Sequence, residues 1–403
     1  MNILLLTQVL PYPLDSGPKV KTYHVLRYLA ERYEVTLLSF VRGESSEAVE
    51  HLRRYCKAVY TVPMDRGMGR DLSALLKSQL TGVPFLMVRD QRKAMLQTLE
   101  RITAGQKFAV IHADQLNMAQ YAARVRGGKK ILDSHNTLWL LYQRLCRSSR
   151  ISAKRLVMSR EWKLLKAYER KVGERFDLIL AVSEEDRQAL IEIGIPKDKI
   201  HVIPISIDTR QTCLIKRDND ALNILHLGTM FWPPNSEGVV WFLKEIWPRI
   251  RLENPGVKFD IVGAHPPRAL RQLAMRDSNV NLPGYVPDPT AYLRRAGVMV
   301  VPLRAAGGMR VKILHALAQG IPVVSTTIGC EGIRAENGKH LLIADSAEDF
   351  AHATNRLLLN KGEAEMLARN GRALVEEVYD YRRTLDQLGN VYSALAPNGR
   401  EWT

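Results

Sequence analysis

The sequence predicts an α/β protein built from two doubly wound domains, each a parallel sheet with helices on both faces. Three observations lead there. Short apolar runs rich in β-branched residues alternate with amphipathic helical stretches along the chain, which is how strands buried on both faces read. At 403 residues, with 46% apolar and 25% charged side chains, the chain has an ordinary globular composition but is too long for one core. The series of strand-like runs also restarts near residue 222, after the polar stretch TRQTCLIKRDND.

In order, NILLLT (2–7) precedes a loop and the helix KTYHVLRYLAERY, followed by EVTLLSF, FAVIHA (108–113), KKILDSH (129–135) and FDLILAVS (176–183). The second series runs LNILHLG (222–228), KFDIVGA (258–264), NVNLPGYV (279–286), GVMVVPL (297–303), IPVVSTT (321–327) and HLLIA (340–344). This places a first domain over 1–205, a linker over 206–221, a second domain over 222–380, and a C-terminal helix and tail over 381–403. The two domains are expected to face each other across a cleft. In such sheets ligands bind outside the carboxyl ends of the strands.

The composition excludes several classes. No run of 18 apolar residues is present, so no spanning helix is expected. The opening MNILLLTQVLPYP lacks a basic n-region and reads as a first buried strand rather than a signal peptide. Cys56, Cys146, Cys213 and Cys330 are scattered, which argues against structural zinc and against a disulfide framework, and fits a reducing cytoplasm. The net charge is +16, and residues 140–175 carry eleven lysines and arginines against three glutamates. Two readings of that stretch stay open: a solvated helix face, or peripheral contact with an anionic membrane. No nucleic-acid-binding motif accompanies it.

Four strand-to-helix loops hold the residues that point to a ligand. LPYPLDSGPKVKTYH has a flexible turn at Gly17, with Lys19 and Lys21 before the helix. LGTMFWPPN lets backbone approach closely at Gly228 and ends on Asn235; LPGYVPDP, containing Val286, offers backbone groups to a planar base. AAGGMRVK brings Gly307 and Gly308 to a helix N-terminus, with Arg310 and Lys312 in its first turn. Two cations there oppose the helix dipole unless an anion joins them, so a phosphate-bearing ligand is predicted. DND (218–220) lies in the polar linker and not after a strand, so it reads as accidental, and no His/Cys/Asp cluster supports a metal.

The stretches DSGPKVKTYHVLRYLAERYEVTLLSF, ILDSHN, FDLILAVSEED, LGTMFWPPNSEGVVWFLKEIWPRI, GYVPDPTAYL and GGMRVKILHALAQGIPVVSTTIGCEGI carry a resemblance. Together they make the chain similar to retaining glycosyltransferases of the family-4 type (glycosyl transferases group 1). The resemblance implies the GT-B fold of two Rossmann-like domains and a nucleotide-diphosphate sugar held mainly by the second. It further implies sugar transfer with retained configuration to a glycan, lipid-linked or small-molecule acceptor, without a metal. It implies donor-binding roles for Gly17, Gly228, Asn235, Val286, Gly308, Arg310, Lys312, His315 and Glu331, and catalytic roles for His135, Arg310 and Lys312. His112 is a weaker candidate. The chain departs from the family pattern where two glutamates are expected, at Gly307 and His315, the second being the usual partner of the ribose hydroxyls. Arg310 and Lys312 replace cations missing after the LG strand, and Glu331 is a candidate for the lost carboxylate. Two rival readings are a nucleotide-sugar epimerase and an inactive nucleotide-sugar-binding homologue.

Overall fold

The computed structural model describes residues 1–148, 153–218 and 221–395. The chain divides into two compact units. Met1–Ile205 and the segment from Thr384 onward make the first, and Ser206–Arg383 the second.

The first unit is organised on seven parallel strands: β1 (Asn2–Thr7), β2 (Glu34–Val41), β3 (Ala58–Pro63), β4 (Val110–Asp114), β5 (Lys129–Ser134), β6 (Leu178–Ala181) and β7 (Ile200–Val202), in the order β3-β2-β1-β4-β5-β6-β7. Ile3 pairs with Val35 on one side and Val110 on the other, so β1 is central. Its Ile3–Leu6 run is apolar at every position because helices cover both faces and no side chain reaches water. The second unit repeats the plan with β8 (Asn223–Leu227), β9 (Phe259–Val262), β10 (Val280–Gly284), β11 (Ala296–Val301), β12 (Val323–Ser325) and β13 (Leu342–Ile343), in the order β10-β9-β8-β11-β12-β13. The strand order reverses between β1 and β4 in one sheet and between β8 and β11 in the other. Each reversal opens a crevice at the carboxyl ends of those strands.

Several expectations need correction. β3 and β7 were not anticipated: both are sheet edges, β3 is largely half-exposed and β7 has three residues, so neither presents a continuous apolar run. The first helix begins at Gly17, not at Lys21, with Pro18 suiting its first turn, so Lys19 and Lys21 lie inside it. Residues 206–221 are no free linker. Ile207 bridges Asp380, Ile215 N–H donates to Gln319, Asp218 N–H donates to Arg294, and the Arg372 guanidinium holds the Thr209 and Thr212 carbonyls. The Asp218 carboxylate pairs with Arg294, and the other two residues of DND lie outside the described residues. In the closing helix Tyr381–Ala394, Tyr392 is fully buried in the first unit, its hydroxyl 2.6 Å from His112 Nδ1. The rest of the expected tail, from residue 396, lies outside the described residues.

The first unit also buries a carboxyl with no ion-pair partner among the described residues. Glu169 Oε1 accepts the Leu138 N–H at 2.8 Å, at the start of the helix Leu138–Ser148, while Oε2 has no hydrogen-bond partner among the described residues. Burial pushes this carboxyl up to about 8. Its folded pKa is therefore raised above the unfolded value of about 4.3. The stability it contributes is fully present below that unfolded value and is lost as pH rises through about 8. Glu169→Gln keeps an acceptor for Leu138 and has no proton to lose. At pH 8–9 it should unfold in urea with on the order of 2–4 kcal/mol more stability than the wild type, and the gap should narrow towards pH 5. A pH-independent difference would contradict the assignment.

Candidate active site

In the second unit, Gly228 follows β8 and the Gly307–Lys312 loop follows β11, so both stand at the strand-order reversal. Gly308 adopts φ +69°, a left-handed turn that favours glycine, and Arg310 caps the helix Val311–Ala318. That helix packs Ile313, Leu314, Ala316, Leu317 and Ala318 inward, leaving Lys312 and His315 half-buried. Lys312 Nζ donates to Asn235 Oδ1 at 2.9 Å, and Asn235 Nδ2 donates to the Thr229 carbonyl at 2.9 Å. Gly228 makes this possible, since a Cβ there would stand 2.5 Å from Lys312 Nζ and 2.9 Å from Asn235 Nδ2.

Lys312 has no carboxylate partner among the described residues. Burial, then the charge of Arg310, pushes its ammonium down to about 7. His226, at the end of β8, was missed in the sequence because it sits in an apolar strand. Its Nδ1 is 2.9 Å from the Val300 carbonyl, and burial together with the Lys312 charge keeps the imidazole neutral. It therefore adds no like charge beneath the lysine. The second unit thus holds a desolvated cation at a helix N-terminus, bonded among the described residues to a neutral amide. Such a group gains most when an anion arrives.

The remaining second-unit candidates lie along the same edge but differ in state. The Arg310 guanidinium donates to the Gly307 carbonyl at 3.1 Å and the Glu331 carbonyl at 2.7 Å. In this state it pins the loop to the segment after β12. Glu331 is half-buried just past the turn Thr327–Cys330. Val286 is half-buried after β10, beside the exposed Tyr285, and Phe231 is exposed after Gly228. His315 has no hydrogen-bond partner among the described residues, and burial pushes its imidazole down to about 4, so it is neutral near pH 7. A neutral imidazole offers one donor and one acceptor, enough for one ribose hydroxyl. His315→Glu should tighten nucleoside diphosphate binding by about tenfold, the order expected of one further charge-assisted hydroxyl bond. His315→Ala should weaken it by a few-fold. Equal affinities for His, Glu and Ala by calorimetry would make residue 315 scaffold.

In the first unit the candidates gather at the carboxyl ends of β4 and β5. His135 Nε2 lies 2.9 Å from Asp114 Oδ1, which the Thr22 hydroxyl also reaches at 2.8 Å. A carboxylate only accepts, so His135 donates from Nε2 and presents Nδ1 as an acceptor. That Nδ1 is buried with no hydrogen-bond partner among the described residues. Lys21, 2% exposed, forms an ion pair with Asp133, and His112 Nε2 stands 3.6 Å from the other Asp133 oxygen. Burial alone would raise the Asp133 carboxyl, yet the Lys21 ammonium, with both histidines adding to it, holds it well below the usual carboxylate range. Asp114, Asp133 and His135 converge closely enough to ligate a metal, a grouping not seen in the sequence. The Lys21 ammonium holds Asp133 Oδ1, while Asp133 Oδ2 and Asp114 Oδ2 have no hydrogen-bond partner among the described residues. Lys19 pairs with Asp15 at 2.9 Å, and Lys21 is committed to Asp133. Gly17 begins its helix with no side-chain cap at Ser16. His112 Nδ1 lies 2.6 Å from the Tyr392 hydroxyl.

Both units are similar to known proteins. The Glycosyltransferase Family 4 model matches residues 16–211, and the Glycosyl transferases group 1 model matches residues 221–360. An uncharacterized 44.6 kDa protein in the cps region of Klebsiella pneumoniae is 22% identical over 397 residues, 96% of this chain and 98% of that one. The amylovoran biosynthesis glycosyltransferase AmsK of Erwinia amylovora is 26% identical over 236 residues, 55% of this chain and 57% of its own. Anabaena HepE, solved with UDP and glucose, matches with a TM-score of 0.70 at 14% identity, covering 98% of this chain and 100% of that one. Sucrose-phosphate synthase of Thermosynechococcus elongatus matches with a TM-score of 0.72 at 17% identity, covering 98% and 99%. At such identities the structural likeness shows the fold, the GT-B type with two Rossmann-like domains. With one family model on each unit, the chain is a glycosyltransferase and belongs to the group 1, family-4 type of these enzymes.

Proposed function

We propose that this enzyme moves a sugar from a nucleotide-diphosphate donor to a glycan or lipid-linked acceptor in polysaccharide assembly, with retention of configuration and without a metal. The observation that carries the donor assignment is Lys312: a desolvated ammonium at a helix N-terminus, beside Arg310 and without a carboxylate partner. A diphosphate supplies the missing negative charge. HepE, solved with UDP and glucose, supports a nucleotide-linked donor, and AmsK supports a place in polysaccharide synthesis.

In this reading the acceptor hydroxyl attacks the anomeric carbon on the face from which the diphosphate leaves. The bond from that carbon to the phosphate oxygen breaks, and the departing phosphate takes the hydroxyl proton. Lys312 and the N–H groups opening the Val311–Ala318 helix meet the charge that grows on the leaving group, where preorganised cations contribute most. In the first unit, His135 Nδ1 is an acceptor for a substrate hydroxyl, its ring held by Asp114.

The test is incubation with UDP-, GDP- and ADP-sugars and lipid-linked glycans, reading the product's anomeric configuration by NMR. A product with the donor's configuration supports the reading. Inversion would remove retention, release of an isomerised sugar would indicate an epimerase, and binding without turnover an inactive homologue.

A further inference from the structure

The helix Met68–Thr81 lies on the first unit with its apolar face outward. Met68, Leu72, Leu76 and Leu80 recur every fourth residue and are 91%, 59%, 58% and 88% exposed. The side it buries is made of Ala74 and Ser78, the Ser78 hydroxyl donating to the Val83 carbonyl at 2.7 Å. An amphipathic helix of a globular protein normally does the reverse. At about 1.5 Å per residue the four side chains form a ridge roughly 18 Å long.

The ridge continues onto a second element. Arg160, in the helix Ala153–Arg175, donates to the Ser78 carbonyl at 2.9 Å. One turn earlier on the same face stand Leu156 and Val157, 76% and 50% exposed. These apolar residues are set among cations. Arg70 and Lys77 share the first helix, and the second belongs to the stretch with eleven lysines and arginines against three glutamates. Asp65, Asp71 and Glu161 are the acidic groups nearby, and Glu161 is buried, accepting the Phe85 N–H at 3.1 Å. No helix among the described residues is long and apolar enough to cross a membrane.

We propose that the Met68–Thr81 helix and the start of the Ala153–Arg175 helix form a docking surface for an anionic lipid bilayer. Charge complementarity selects this occupant. Leucines that enter the acyl boundary beside lysines and arginines that meet acidic headgroups are what an interfacial helix needs, whereas a protein partner's apolar patch would gain nothing from so many cations. The sequence drew attention to residues 140–175 alone; the leucine ridge supplies the insertion that charge by itself does not.

The test is flotation of the full chain with vesicles of phosphatidylglycerol and phosphatidylethanolamine, against vesicles of phosphatidylcholine. The wild type should float with the acidic vesicles and release partly as salt rises. Leu72→Ser/Leu76→Ser/Leu80→Ser, which changes only exposed side chains, should keep the wild-type circular dichroism and lose at least about tenfold in partitioning. Lys77→Glu/Lys163→Glu should bind more weakly and with a shallower salt dependence. The proposal is overturned if the triple serine variant floats like the wild type, or if the wild type stays off acidic vesicles. It is equally overturned if the wild type sediments as a dimer that the serine substitutions dissociate while neither protein floats.

Discussion

Lys312→Ala should leave a folded protein with about 2–4 kcal/mol less transition-state stabilisation, a loss in turnover on the order of 10² to 10³. The expectation follows from its surroundings. Among the described residues it donates to the Asn235 amide oxygen, and no carboxylate there competes with an incoming phosphate. Removing the ammonium also removes a like charge from beside Arg310, so the free protein should not be destabilised by the change. Turnover and donor affinity should therefore fall while thermal unfolding stays level or rises. Lys312→Arg should restore charge but not geometry, since the Gly228 approach leaves little room for a guanidinium. Steady-state kinetics on the three proteins check this, and unchanged turnover in the alanine variant would remove Lys312 from the chemistry.

Lys21→Met should cost about 3–5 kcal/mol of stability, because it leaves the Asp133 carboxylate buried and uncompensated. The loss should be confined to the first unit and appear in urea unfolding as an early transition. Lys21→Met/Asp133→Asn should recover most of it, since replacing both members of a buried pair is often close to neutral. The pair also fixes the first helix to β5, two residues before His135, so activity should fall with the single change and return only in part with the double. A single variant as stable as the wild type would show that water reaches Asp133.

How much could be read without the fold depended on where each signal resides. Strands such as β1, β8 and β11 announce themselves because their central positions are all buried, and the Gly-rich loop with Arg310 and Lys312 is a local pattern. The half-solvated edges β3 and β7 carry no such run. Lys21 looks like an available cation in the sequence, but its partner Asp133 is 112 residues away and nothing local reveals it. Lys312 and Asn235 are separated by 77 residues, so the neutral amide beneath the ammonium also needed the fold. The same holds for Arg310, whose turn towards two backbone carbonyls depends on Glu331 beyond the next strand. The Met68–Thr81 helix was not anticipated, because its leucines point to solvent and leave no apolar stripe facing the core.

The central claim is that Lys312 waits for a diphosphate, and proton-linked binding tests it most directly. With the free ammonium pushed down to about 7, an anion that holds it charged must raise its pKa. Nucleoside diphosphate binding above pH 7 should thus take up a proton, and affinity should fall as pH rises, by up to about tenfold per unit. The ligand's own last ionisation, near about 6, is complete by then. Calorimetric titration of UDP, GDP and ADP at pH 7 and 8.5, in buffers of different ionisation enthalpy, measures both quantities. The expected result is proton uptake for the nucleotide that binds, abolished in Lys312→Ala. Binding with no proton uptake at either pH, unchanged in that variant, would contradict the account.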